Sequence, residues 1–84
     1  MDKEQKKQIQ DVIEILDELQ EDLTVPKNVK IKLVNAAKAL KGEAEPSISI
    51  NKALNELEGI TDDANMQSYT RTQIWNVVSL LEKI

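Results

Sequence analysis

The sequence predicts an all-α protein, an up-and-down four-helix bundle, and three observations carry that expectation. Apolar residues recur at i, i+3, i+4 and i+7 in four separate stretches, and proline or glycine stands between most of them. The apolar set is also aliphatic, with nine Ile, nine Leu and six Val and no Phe. That spacing lines one face of a helix, the breakers set helix ends, and compact branched side chains fill seams between helices. A chain of 84 residues suits one domain, 1–84, with a thin core.

The first helix spans roughly 3–22, because Ile9, Val12, Ile13, Leu16, Leu19 and Leu23 keep to one face. "LTVPKN" interrupts it, since proline fixes its own φ, extends Val25 before it and suits the first turn of a new helix. The second helix therefore runs about 26–41 with Val29, Leu33, Ala36, Ala37 and Leu40 inward. Lys38 and Lys41 complement its C-terminal dipole, and Gly42 offers a left-handed cap.

After the connection "GEAEPS", a third helix over 46–58 turns Ile50, Ala53, Leu54 and Leu57 inward and stops at Gly59. "ITDDAN" reads as a turn whose short polar side chains bond to nearby backbone N–H groups. A cation loop would need alternating acids and a distant glutamate, which this stretch lacks. The fourth helix follows over about 66–83, with Thr70, Ile74, Val77, Val78 and Leu81 inward.

Two hairpins can be overlaid. Leu16-Asp17-Glu18-Leu19 matches Leu54-Asn55-Glu56-Leu57, and Leu33, Asn35, Ala36, Ala37 and Leu40 match Ile74, Asn76, Val77, Val78 and Leu81. The pattern is that of a helical hairpin used twice, the second with a longer turn.

Charge is distributed unevenly within a net of −4. Residues 1–22 hold eight acids against three lysines, a net of −5, whereas residues 23–42 hold five lysines and no acid. At about 100° per residue, Lys27, Lys30, Lys38 and Lys41 fall on the side of the second helix opposite its core face. They could track a phosphate backbone, yet an acidic chain with almost no aromatic side chains is a poor nucleic-acid module. Ile31 and Val34 lie among the same lysines, so the second helix is apolar on two sides; such a helix usually has a second burial partner, either another part of the chain or a second copy of it, although isolated exposed aliphatics are also ordinary.

Several chemistries are excluded outright. With no Cys and no His, the chain cannot build a thiolate or histidine metal site, a disulfide or a Ser-His or Cys-His nucleophile pair. No cofactor is expected. The carboxylates of the first helix sit on its solvent side with no cleft implied, so catalysis there is not expected. No apolar run reaches the ~18 residues of a membrane span, and the charged start "MDKEQKKQIQ" leads into no signal-peptide stretch. The expected compartment is the cytoplasm.

Val25-Pro26-Lys27-Asn28, Asn65-Met66, Thr70-Arg71-Thr72 and Ile74-Trp75-Asn76-Val77-Val78 resemble the small archaeal family catalogued as uncharacterised protein family zero-one-four-seven. The resemblance spans nearly the whole chain. It implies a four-helix bundle with no assigned activity and transfers no catalytic or ligand residue. In that family a proline follows the methionine, whereas this chain has Gln67, which leaves the start of the fourth helix less fixed.

The last twenty residues hold the only aromatics, Tyr69 and Trp75, and the only arginine, Arg71. Relative to Ile74, Trp75 lies about 100° and Arg71 about 60° to one side, with Tyr69 on the other side near Leu80. Trp75 and Arg71 are read as residues that close a bundle seam, or else as a binding site, since both types concentrate at interface hot spots. The expected function is a non-enzymatic bundle acting through protein contacts, self-association included, with Ile31, Val34, Arg71 and Trp75 as the candidate surface. The alternative is a nucleic-acid or ribonucleoprotein accessory that uses Lys27, Lys30, Lys38 and Lys41.

Overall fold

A computed structural model describes residues 3–42, 45–60 and 66–84. Four helices follow one another: α1 (Lys3–Gln20), α2 (Lys27–Lys41), α3 (Pro46–Glu58) and α4 (Ser68–Lys83). Among the described residues there is no strand. The "TDD" stretch expected to form a capping turn and part of the "GEAEPS" connection lie outside the described residues.

α1 packs on α2 and α4, and α3 packs on the same two, while among the described residues the diagonal pairs, α1 with α3 and α2 with α4, bring no Cα atoms within 8 Å of each other. Sequence neighbours are thus spatial neighbours, the up-and-down order that short connections enforce. The core runs along the bundle axis. Val12, Leu16, Val29, Leu33, Ala36, Ala53, Leu57, Ile74 and Val77 are fully sealed in it, and Val25, Ile60 and Met66 close it beyond the helix ends.

The two hairpins use most matched apolar positions alike: Leu19 and Leu57, Leu33 and Ile74, Ala36 and Val77, and Leu40 and Leu81 are buried pair by pair, whereas Leu54 and Val78 are only partly covered where Leu16 and Ala37 are buried. α3 differs from the sequence reading at one turn. Ser49 is buried there, and Ile50 and Leu54 are only partly covered, on the flank toward α4.

Three helix ends fall inside the expected bounds. α1 stops at Gln20, not 22, because Glu21 and Asp22 donate their N–H groups three residues back, to the carbonyls of Glu18 and Leu19, which tightens the last turn. Pro26 caps α2 from outside, and α4 begins at Ser68, not at Met66. Gly42 does not take the left-handed cap: it is extended, with φ −71° and ψ 170°. Its N–H instead closes the last turn on the Ala39 carbonyl at 3.3 Å, so the exit needs no positive φ.

Candidate functional site

The α1–α2 connection is an ordered turn built around Asp22. Its carboxylate accepts the Thr24 backbone N–H at 2.8 Å and the Thr24 hydroxyl at 2.6 Å, a local side-chain bond that competes with helix and so favours the turn. The Val25 N–H donates to the Asp22 carbonyl at 3.2 Å. Those bonds, the Thr24 hydroxyl first and then its N–H, hold the Asp22 carboxyl below the usual carboxylate range, and Lys30 adds to the shift.

Within this turn Val25 is buried and Leu23 is 92% exposed. Leu23 was expected inside α1's apolar face, and the reason it is not lies in the chain's path. It follows the end of the helix, so the i+4 step from Leu19 no longer points at the core. The Asp22-x-Thr24 spacing was the available signal for a turn here.

One turn into α2, Ile31 is 54% exposed. Val34 is half-covered, on the flank toward α1. Helix geometry puts both on the outward side of α2 together with Lys27, Lys30, Lys38 and Lys41, of which Lys30 and Lys41 lie nearest α1. That placement agrees with one cross-helix contact, Lys41 Nζ 3.3 Å from Asp17 Oδ2, and with the favourable field of Lys30 at the Asp22 carboxylate in the turn. Of the four expected phosphate contacts, Lys41 is therefore already paired and Lys30 stands beside an acid, while Lys27 and Lys38 are exposed. Lys32, on the other flank, pairs with Glu56 of α3 at 3.5 Å.

Arg71 and Trp75 are placed elsewhere. They share one flank of α4 with Glu82, which stands seven residues beyond Trp75 and lines a shallow cleft with Ile50 and Leu54 of α3. Trp75 is 54% exposed, and Arg71 is partly covered. Since α2 and α4 stand diagonally across the bundle, the structure does not join the outward Ile31 and half-covered Val34 to Arg71 and Trp75 in one site. Tyr69 is exposed, and its hydroxyl accepts the Gln73 side-chain N–H at 3.0 Å.

The larger cleft, about 410 Å³, opens at the far end of the bundle over Ile9, Ile13 and Leu40. Among the described residues its titratable groups are Lys6 and Lys41, two lysines that do not form an acid–base pair, and Lys41 is paired with Asp17. Among the described residues no three His, Cys, Asp or Glu side chains converge as a metal site. No described helix is long and apolar enough to cross a membrane.

Comparison with known proteins decides the family. A family model described as Uncharacterised protein family (UPF0147) matches residues 1–84. The chain belongs to this family. UPF0147 protein MJ1419 of Methanocaldococcus jannaschii is 42% identical over 71 residues, which is 83% of this chain and 76% of that protein. The family's protein from Archaeoglobus fulgidus is 38% identical over 79 residues, 94% of this chain and 91% of that one. A crystal structure of unknown function protein MMP1188 is similar with a TM-score of 0.88 and 40% identity, covering 92% of this chain and 89% of that one. The resemblance drawn from the Val25-Pro26-Lys27-Asn28 and Ile74-Trp75-Asn76 stretches is borne out, as is the all-α fold it implied. The family has no assigned activity.

Proposed function

We propose that this protein is a non-enzymatic interaction module whose contact surface is the outer face of the α1–α2 hairpin, with self-association as its first use. The observation that carries the reading is Leu23, an aliphatic side chain 92% exposed on a turn that three hydrogen bonds hold in place. Ile31 extends the apolar surface along α2. A leucine left in water by an ordered backbone gains free energy only when something covers it, roughly 2 kcal/mol for full burial.

The expected contact is small. A face two helices wide and about 25 Å long buries on the order of 500 Å² per copy, at the weak end of specific interfaces. Association is therefore expected in the micromolar to millimolar range. Sedimentation velocity over that range at about 0.15 M salt tests it, and a strict monomer at the highest concentration would remove the reading.

A nucleic-acid role through Lys27, Lys30, Lys38 and Lys41 ranks second. Asp17 sits 3.3 Å from Lys41 and Asp22 lies beside Lys30, and such acids repel a phosphate backbone. Any binding of RNA or duplex DNA is expected to be non-specific and to fade steeply with salt. Tight binding that survives physiological salt would reverse the ranking.

A further inference from the structure

The α1–α2 face is patterned by charge as well as by apolar side chains. Glu14 and Asp17 fall within about 60° of one another on the outer flank of α1 toward α2, and Glu21 follows in the turn that ends the helix. Lys27, Ile31, Val34 and Lys38 fall within about 60° on the matching flank of α2. Asp17 is answered inside the chain by Lys41. Glu14, Glu21, Lys27 and Lys38 have no ion-pair partner among the described residues. The face thus carries an acidic ridge and a basic ridge side by side, with apolar residues on the basic one.

Resting on the interaction reading above, we infer that the occupant of this face is a second copy of the chain, related by a two-fold axis that runs parallel to the helices. Two identical faces can meet about an axis that lies along the helices or across them. An axis across them sets α1 on the second copy's α1 and α2 on its α2, acid over acid and lysine over lysine. An axis along them sets α1 over the second copy's α2, so each acidic ridge meets a basic one.

The register agrees with the second arrangement. Ile9 and Ile13 of α1 line one cleft with Leu40 and Lys41 of α2, so Glu14 stands about level with Lys38, while Glu21 and Lys27 lie toward the end of the hairpin where the turn is. An axis parallel to the helices keeps those levels, and Glu14 of one copy then faces the second copy's Lys38. Like charges directly opposed in a contact are costly, whereas complementary ridges fix orientation more than they add affinity.

The same geometry brings the two Leu23 side chains to one end of the dimer, next to each other. An axis across the helices would leave them at opposite ends of bundles whose long dimension is 37 Å.

The chain has no cysteine, which makes the distinction simple to read. Leu23→Cys, oxidised mildly at concentrations where the wild type sediments as an associated species, is expected to give a disulfide-linked dimer as the main product. Ile48→Cys, an exposed position near the start of α3, is expected to give little. In parallel, Glu14→Lys and Lys38→Glu are each expected to weaken self-association about tenfold. An equimolar mixture of the two variants is expected to recover wild-type affinity as a heterodimer, because each acidic ridge again meets a basic one.

Wild-type association without the Leu23→Cys crosslink, or charge variants whose mixture shows no recovery, would overturn the parallel two-fold and leave the interaction reading standing. A wild type that stays monomeric would overturn that reading itself.

Discussion

Pro26 and Gln67 hold the same backbone conformation, φ −57° with ψ 148° and φ −68° with ψ 153°, each as the cap in front of the second helix of its hairpin. They stand 41 positions apart, at the same offset that relates Leu33 to Ile74. Only one of them is a proline. Both caps do the same work: the Pro26 carbonyl accepts the Lys30 N–H, and the Gln67 carbonyl accepts the Arg71 N–H, each at 3.0 Å. The buried residues in front of them, Val25 and Met66, match as well.

A proline at 67 should therefore be accommodated. Its ring would enforce a φ that Gln67 already has, and among the described residues the Gln67 N–H makes no backbone hydrogen bond that would be lost. Gln67→Pro is expected to raise unfolding free energy by about 0.4–1 kcal/mol, mainly by restricting the unfolded chain. Urea denaturation measures it, and a loss of stability would show that Met66 cannot take the extended conformation a following proline requires.

Thr70 sits where the first hairpin has Val29, and both are fully buried. The Thr70 hydroxyl finds no hydrogen-bond partner among the described residues. A buried hydroxyl without a partner has lost its water for nothing, so an apolar group of the same shape is better there. Thr70→Val is expected to stabilise the protein by about 1 kcal/mol, seen as a rise in melting temperature of several degrees. An equal or lower melting temperature would mean that the hydroxyl is satisfied in solution.

Trp75 is 54% exposed, which limits what it can contribute to the bundle. Removing a fully buried aromatic costs about 3–5 kcal/mol, so Trp75→Ala is expected to cost about 1–2 kcal/mol through the apolar surface that α4's neighbours cover. Arg71→Ala measured beside it, with recovery of bound proteins from both variants, separates the roles. If Trp75→Ala unfolded at the wild-type denaturant midpoint yet lost a partner, the α3–α4 edge would be a binding site.

Asp22 supplies a pH dependence with a definite sign. Its carboxyl is held below the usual carboxylate range by the two Thr24 hydrogen bonds, so it binds protons less readily folded than unfolded. Its contribution to stability is complete above the unfolded pKa and is lost as the pH falls through the folded one. Asp22→Asn is thus expected to melt below the wild type at pH 7, with the gap closing below about pH 4. A gap independent of pH would show that the charged form is not what orders the turn.

Much of the bundle was legible because helical periodicity reports local geometry. The spacing of Ile9, Val12, Ile13, Leu16 and Leu19, of Val29, Leu33, Ala36 and Leu40, and of Thr70, Ile74, Val77 and Leu81 names residues that are all buried. Pattern also marked Ile31 as outward. Periodicity assumes that the helix continues, however, and this is why it failed at Leu23. Once the Asp22 turn ends α1, a residue four positions after a core leucine points wherever the turn sends it.

By itself the sequence determined the helices, the inward face of each, the segregation of acids to α1 and lysines to α2, and the absence of thiol and imidazole chemistry. Those are properties of spacing and residue type along the chain. Only the tertiary structure decided which flanks meet. Packing α1 against α2 pairs Lys41 with Asp17, sets Lys30 beside Asp22 and brings the acidic ridge of α1 alongside Ile31 and Val34. Setting α4 diagonal to α2 puts Trp75 and Arg71 in a different place from Ile31. A helix has a phase that its own sequence specifies, but its azimuth relative to its neighbours is settled by which faces close the shared core together.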